Sequence, residues 1–250
     1  DLERKENMSA KIAELLLEET KDFSLEETLR FLAEKYPNQV IFSTSFGQED
    51  QVITDAIYKN NPTNAALNIR VFTLDTGRLF QETYDLMDAT RAKYNQSFET
   101  YFPNTAKVEA LAKEKGFNSF YFSVENRKEC CFIRKIEPLK RALTGAEVWI
   151  TGLRAEQSPN RESMQFLEWD EEHQLVKFNP LLHYSLQEVE NEVNQNNIPI
   201  NSLYKKGFLS IGCASCTRAL EPGEDFRAGR WWWENGKKEC GLHIHIDQNN

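Results

Sequence analysis

No apolar run in the chain approaches the roughly 18–20 residues needed to cross a bilayer, so a membrane helix is not expected. Nor is there an excess of positive charge. Lys and Arg number 30 against 39 Asp and Glu, for a formal net charge of −9. That balance argues against nucleic acid as a partner, because such affinity comes largely from neutralising backbone phosphates. Internal repeats and low-complexity segments are missing, and so are a Walker loop and a dinucleotide-binding fingerprint. The first residues, Asp1-Leu2-Glu3-Arg4-Lys5-Glu6-Asn7, are acidic and polar, unlike a secretory signal. The expected compartment is the cytoplasm. Cysteine is scarce, at five residues, and the number is odd. In a reducing compartment this disfavours a disulfide framework and favours metal ligation or thiol chemistry.

What is present reads as an α/β protein. With 40% hydrophobic and 28% charged residues, the composition is that of an ordinary soluble domain. A single domain over 1–250 is expected, its last stretch from about 234 onward forming a mobile tail. Helical periodicity runs from about Ser9 to Lys21, and Ser24-Leu25-Glu26-Glu27 is a capping box for a second helix ending before Pro37. Val40-Ile41-Phe42 reads as a buried strand, Ile69 to Leu74 as a second, Ser97 to Phe102 as a third and Val148 to Thr151 as another. Helices are expected over Leu79 to Tyr94 and over Cys130 to Leu143, the latter bending or stopping near Pro138. Ser185-Leu186-Gln187-Glu188 is a further capping box. Alternating strands and helices predict a mostly parallel twisted sheet covered on both faces, with ligands at the carboxyl ends of its strands.

Three polar loops leave such strand ends. Ser43-Thr44-Ser45-Phe46-Gly47 precedes a helix, and its hydroxyls and backbone N–H groups suit an anion. A plain helix cap is the alternative. Asp75-Thr76-Gly77 offers an acceptor and a donor suited to a nucleoside, or simply a turn. The loop from Gly152 to Arg161 holds Arg154 and Arg161, residues able to grip a phosphate or sulfate. Basic residues also gather near the cysteines, Lys135 among them, with Arg227 and Arg230 further on. They suggest an anion site or a solvated basic face.

The cysteines divide into two groups. Cys130-Cys131 and the Cys213-x-x-Cys216 pair supply four thiolates, a set that zinc and iron–sulfur clusters both accept. Adjacent cysteines on a helix point about 100° apart, so both reach one centre only where the backbone distorts. A bulky 4Fe–4S cluster tolerates this better than one tetrahedral ion. Cys240 stands apart, beside Lys237, Lys238 and His243, neighbours that favour its thiolate.

Together these segments resemble the iron–sulfur branch of the sulfonucleotide reductase family, the assimilatory adenylyl-sulfate reductases. The likeness rests on Ser45-Phe46-Gly47-x-Glu49-Asp50, Leu74-Asp75-Thr76-Gly77, Cys130-Cys131, Trp149 to Arg154, Cys213-x-x-Cys216, Arg227-Ala228-Gly229-Arg230 and Glu239-Cys240-Gly241-Leu242-His243. The resemblance implies an adenine-nucleotide α-hydrolase fold. The ATP pyrophosphatases of that fold carry Ser-Gly-Gly-x-Asp-Ser, from which Ser45 to Asp50 departs, so a phosphosulfate is expected in place of ATP. It also implies a 4Fe–4S cluster on Cys130, Cys131, Cys213 and Cys216, adenylyl sulfate as substrate and AMP as product. Cys240, with His243, would be the catalytic pair. The thiolate would attack the sulfate sulfur, and thioredoxin or glutaredoxin would release sulfite from the S-sulfocysteine. Ser43, Thr44, Ser45, Phe46, Gly47, Asp75, Thr76, Gly77, Lys135, Gly152, Arg154, Arg161, Arg227 and Arg230 would bind the substrate. Members of the family are commonly homo-oligomers. A dual or 3′-phosphorylated substrate and a non-catalytic zinc or cluster module are the competing readings.

Overall fold

The computed structural model describes residues 2–59, 67–161, 163–235 and 242. Cys240 and His243 lie outside the described residues, as does most of the tail expected from 234 onward.

The chain divides into two compact units. One comprises Asp1–Phe72, Asp85–Glu99 and Leu143–Asn201; the other comprises Thr73–Tyr84, Thr100–Ala142 and Ser202–Asn250. Several of these boundaries fall inside regular elements, so no linker composition announces them.

The first unit carries most of a six-stranded sheet. Its strands are β1 (Val40–Ser43), β2 (Ile69–Leu74), β3 (Glu99–Tyr101), β4 (Val148–Ile150), β5 (Leu167–Asp170) and β6 (Leu175–Phe178). The order is β3-β2-β1-β4-β6-β5. The β1–β2, β1–β4 and β4–β6 pairs are parallel, and β5 runs antiparallel to β6 at the edge. Register explains the core. Val40 and Phe42 lie beside Val148 and Ile150, which lie beside Val176 and Phe178. Side chains alternate between faces along a strand, so this set lines one face. It is fully buried with Leu16, Leu29, Leu32, Ile53 and Val189 from the covering helices.

Those helices are α1 (Leu2–Thr20), α2 (Leu25–Lys35), α3 (Gln48–Tyr58) and, after α4 to α7, α8 (Leu186–Gln195). Both predicted capping boxes form. The Ser24 hydroxyl accepts from the Glu27 N–H at 3.2 Å while Glu27 accepts from the Ser24 N–H at 2.7 Å. Ser185 and Glu188 repeat the arrangement. Helix α4 (Gln81–Tyr94) starts two residues later than its periodicity predicts.

The second unit holds α5 (Thr105–Lys115), α6 (Val124–Cys131) and α7 (Glu137–Ala142), with short 3-10 turns. Two expectations need correction here and in the sheet. The predicted helix over Cys130 to Leu143 begins earlier, at Val124, and is interrupted by a π turn over Phe132–Ile136. Pro138 has no N–H and its ring presses on the carbonyl four residues back, so the chain widens ahead of the proline. The Glu137 N–H accordingly reaches back to the Phe132 carbonyl. The β5–β6 hairpin was not anticipated at all. Its strands are four residues long and carry Glu168, Asp170 and Lys177, which masks their burial in the sequence. No helix among the described residues is long and apolar enough to cross a membrane.

Candidate functional site

In the first unit β1 delivers the chain into the loop Thr44–Gly47, and α3 leaves it. Phe46 is buried at φ +60°, a conformation uncommon for a bulky residue. Its N–H donates to the Thr44 hydroxyl at 3.0 Å. The loop is then closed from the helix side. One Asp50 carboxylate oxygen accepts from the Ser45 N–H at 2.6 Å and from the Ser45 hydroxyl at 2.7 Å. Ser43 accepts a hydrogen bond from the Trp149 indole at 2.8 Å. Burial pushes the Asp50 carboxyl up to about 7, against the opposing effect of the Ser45 bonds, with Glu49 adding to the rise.

Gly152 follows β4 and abuts that same carboxylate. A Cβ there would lie 2.0 Å from Asp50 Oδ1, so only glycine fits. Two residues on, Arg154 is buried, at 1% exposure. Its Nε donates to Glu49 Oε1 at 2.8 Å and its Nη1 to Glu156 Oε2 at 2.9 Å. Gln157 completes the group. It donates to Glu49 Oε1 at 3.0 Å, and its oxygen accepts from the Arg154 N–H at 3.1 Å and from Arg161. Arg154 is therefore already paired with one buried carboxylate, Glu49, and one exposed one, Glu156. Sequence reasoning missed Glu49, Asp50 and Gln157 as functional candidates, although the first two belong to the Ser-Phe-Gly-x-Glu-Asp segment.

In the second unit the Asp75–Gly77 turn is held from two directions. Asp75 Oδ1 accepts from the Gly77 N–H at 2.7 Å and from the Tyr84 hydroxyl at 2.9 Å. Burial and the Asp75 carboxylate push the Tyr84 phenol up to about 12. Gly77 takes φ +74°, which glycine adopts freely. Arg134 Nη1 donates to the Thr76 carbonyl at 2.6 Å. The Thr76 hydroxyl lies 3.1 Å from the Cys213 sulfur.

Four cysteines line one cavity of this unit. Cys130 and Cys131 come from the last turn of α6, Cys213 and Cys216 from the ends of the Ala214–Cys216 turn. All four are free thiols, with Cys130 half-buried and the others buried. Both adjacent cysteines lie in regular α-helix, and the π turn starts directly after Cys131. Arg78, Arg134, Lys135 and Arg230 share the wall, whereas Arg227 does not line it. Burial raises the thiols of Cys130 and Cys216; Arg134 pulls Cys130 back and Cys213 pushes Cys216 further. As bare thiols these groups would hold their protons, and a thiophilic centre would displace them.

The donor set fits an iron–sulfur cluster. Four thiols converge on a cationic cavity, and the buried Nε–H of Arg230 on its wall has no hydrogen-bond partner. Among the described residues, no group of three or more Cys, His, Asp or Glu side chains is placed to hold a metal ion as they stand.

Known proteins resemble the chain in sequence and in fold. Residues 39–219 match the family model described as the phosphoadenosine phosphosulfate reductase domain. Over 207 residues the chain is 50% identical to the adenosine 5′-phosphosulfate reductase of Rhizobium meliloti strain 1021, covering 82% of this chain and 76% of that one. It is 47% identical over 207 residues to the same-named protein of Allochromatium vinosum, covering 82% and 79%. Among solved structures, the phosphoadenylyl-sulfate reductase of Candida auris in its phosphate complex superposes with a TM-score of 0.67 at 29% identity, over 81% of this chain and 94% of that one. The Candida glabrata FMN adenylyltransferase aligns with a TM-score of 0.53 at 15% identity, over 93% and 84% of the two chains. This second likeness is one of fold.

Proposed function

The chain belongs to the phosphoadenosine phosphosulfate reductase domain family, and from that premise we propose that it reduces adenylyl sulfate to sulfite and AMP. The observation that carries the reading is the convergence of Cys130, Cys131, Cys213 and Cys216 on one cation-walled cavity. Relatives at 47–50% identity bear the name adenosine 5′-phosphosulfate reductase, which favours the unphosphorylated 3′ position.

The Cys240 thiolate attacks the sulfate sulfur. A sulfur–sulfur bond forms, the bond from sulfur to the phosphate oxygen breaks, and AMP leaves with the electron pair. A dithiol protein, thioredoxin or glutaredoxin, then attacks the Cys240 sulfur, releases sulfite and closes its own disulfide. The dithiol supplies both electrons. His243 would assist the thiolate. An anion attacking an anion meets Coulomb repulsion, which fixed cations offset. Lys135, Arg154, Arg161, Arg227 and Arg230 are the candidates for this role. Ser43, Thr44, Ser45, Phe46, Gly47, Asp75, Thr76, Gly77 and Gly152 are assigned to the rest of the substrate.

The four cysteines would hold a 4Fe–4S cluster. When bound, it supplies a fixed local field that tunes the neighbouring cations without changing oxidation state. The compartment proposed is the cytoplasm, where dithiol proteins are kept reduced, and the assembly a homo-oligomer.

The direct test substitutes Cys240→Ser in anaerobically purified protein. Sulfite production from adenylyl sulfate and reduced thioredoxin should vanish, and persistence of turnover would defeat the reading. Parallel assays on the 3′-phosphorylated nucleotide should give the weaker turnover. Iron and labile sulfide should both be present in the same sample, whereas zinc without sulfide would remove the cluster.

A further inference from the structure

The second unit contains a buried ion pair whose position in the chain is its most informative property. Arg127 lies on α6, three residues before Cys130, and lines the cysteine cavity. Glu234 stands six positions before Cys240. The two side chains meet fork to fork. Arg127 Nε donates to Glu234 Oε1 at 2.9 Å and Nη2 donates to Oε2 at 2.8 Å. Their side chains are 2% and 6% exposed.

The segment leading to Glu234 is pinned along the same wall. Two guanidinium groups pack on Trp231, with the Arg127 and Arg230 carbons 4.7 and 4.8 Å from its ring centre. Its N–H donates to the Cys216 carbonyl at 3.1 Å. Its φ is +40°, a conformation that persists only where the surroundings enforce it. Just before it, a Cβ on Gly229 would lie 2.3 Å from the Arg218 carbonyl oxygen, so backbone passes directly against backbone.

Stability alone is a poor reason for such a pair. Burying two charges costs several kcal/mol of desolvation, and apolar replacements of similar size often do as well or better. What a bidentate pair adds is a fixed register, because the planar fork tolerates little displacement. Here the registered point is the origin of the segment carrying the nucleophile. Six residues span at most about 20 Å, so the place where they start bounds where the thiol can lie.

We propose that Arg127 and Glu234 form a positioning latch that anchors the root of the Cys240 segment to the cysteine-bearing helix. The latch sets the effective concentration of the thiol at the sulfate. It rests on the reading of Cys240 as nucleophile, and neither latch residue needs to touch substrate.

The test uses full-length, anaerobically prepared protein mixed with adenylyl sulfate in the absence of reductant. Intact-mass analysis of quenched samples follows S-sulfonation of Cys240, while AMP titration and iron analysis monitor nucleotide affinity and the cluster. Glu234→Gln should slow adduct formation by about tenfold to a hundredfold, the loss typical of a small misplacement of a reacting group. AMP affinity and iron content should stay at wild-type values. Arg127→Lys, which keeps the charge but loses the fork, should fall between wild type and Glu234→Gln. Adduct formation at the wild-type rate in Glu234→Gln would overturn the latch. So would loss of iron or of AMP affinity in step with the rate, which would make the pair merely structural. If wild-type protein forms no adduct on Cys240, the underlying reading of the nucleophile fails and the latch falls with it.

Discussion

A Cβ added to Gly152 would lie 2.0 Å from Oδ1 of Asp50 and 3.2 Å from the Asp50 backbone nitrogen. The end of β4 and the start of α3 are thus in contact through a glycine that cannot be enlarged without displacing Asp50, and the carboxylate it touches is the one closing the Ser45 loop.

Gly152→Ala should therefore act at a distance from its own side chain. The Asp50 carboxylate must move, and the Ser45 bonds must stretch or break with it. Overpacking of this kind costs about 1–3 kcal/mol, readable as a lowered urea midpoint. The nucleotide KM should rise more than kcat falls, because the loop is disturbed while the thiol chemistry is not. An unchanged KM would mean that this loop does not bind the nucleotide.

Asp50 also gives the protein a pH dependence of definite sign. Its carboxyl titrates near 7 in the fold, above its ordinary 3.8, chiefly through burial. A raised folded value means that the native state holds the proton more tightly than the unfolded chain does. The contribution of Asp50 to stability is thus complete below about pH 4 and is lost as pH rises through 7. Asp50→Asn retains the acceptor for Ser45 and removes the titration. Its denaturation midpoint should accordingly fall less steeply between pH 4 and 7 than that of the wild type. Parallel curves for the two proteins would show that Asp50 is ionised throughout.

The strands that place these loops were legible in the sequence for a simple reason. Val40 to Phe42, Ile69 to Leu74 and Val148 to Ile150 lie inside the sheet, and a buried parallel strand writes itself as an apolar run. The capping boxes were legible because Ser24 with Glu27 and Ser185 with Glu188 are local. The π turn was not, because the proline responsible sits after the distortion it causes. Nor was the β5–β6 hairpin, where a charged pair such as Glu168 and Lys177 faces across the strands. The hardest features to foresee were long-range. Arg127 and Glu234 are 107 residues apart, and nothing local marks either as buried. Arg154 was legible as an arginine at a strand end, but its partner was not, since a polar loop does not disclose which charges are buried together.

That partnership yields the last prediction. Arg154 and Glu49 are both buried, at 1% and 6% exposure, and share a 2.8 Å bond. Removing one partner from such a pair strands a charge in a poorly solvated site, at a cost of about 3–5 kcal/mol. Glu49→Ala should show that loss in chemical denaturation, and so should Arg154→Met. The double variant Glu49→Ala with Arg154→Met strands no charge, so its loss should fall short of the sum of the two singles by about 1–3 kcal/mol. Activity should separate the partners where stability does not. If Arg154 serves the substrate, Arg154→Met and the double variant should share a raised KM, whereas Glu49→Ala, which leaves the guanidinium in place on Glu156, should raise KM less. Equal KM effects in both singles would mean that the pair acts only as a brace for the loop after β4.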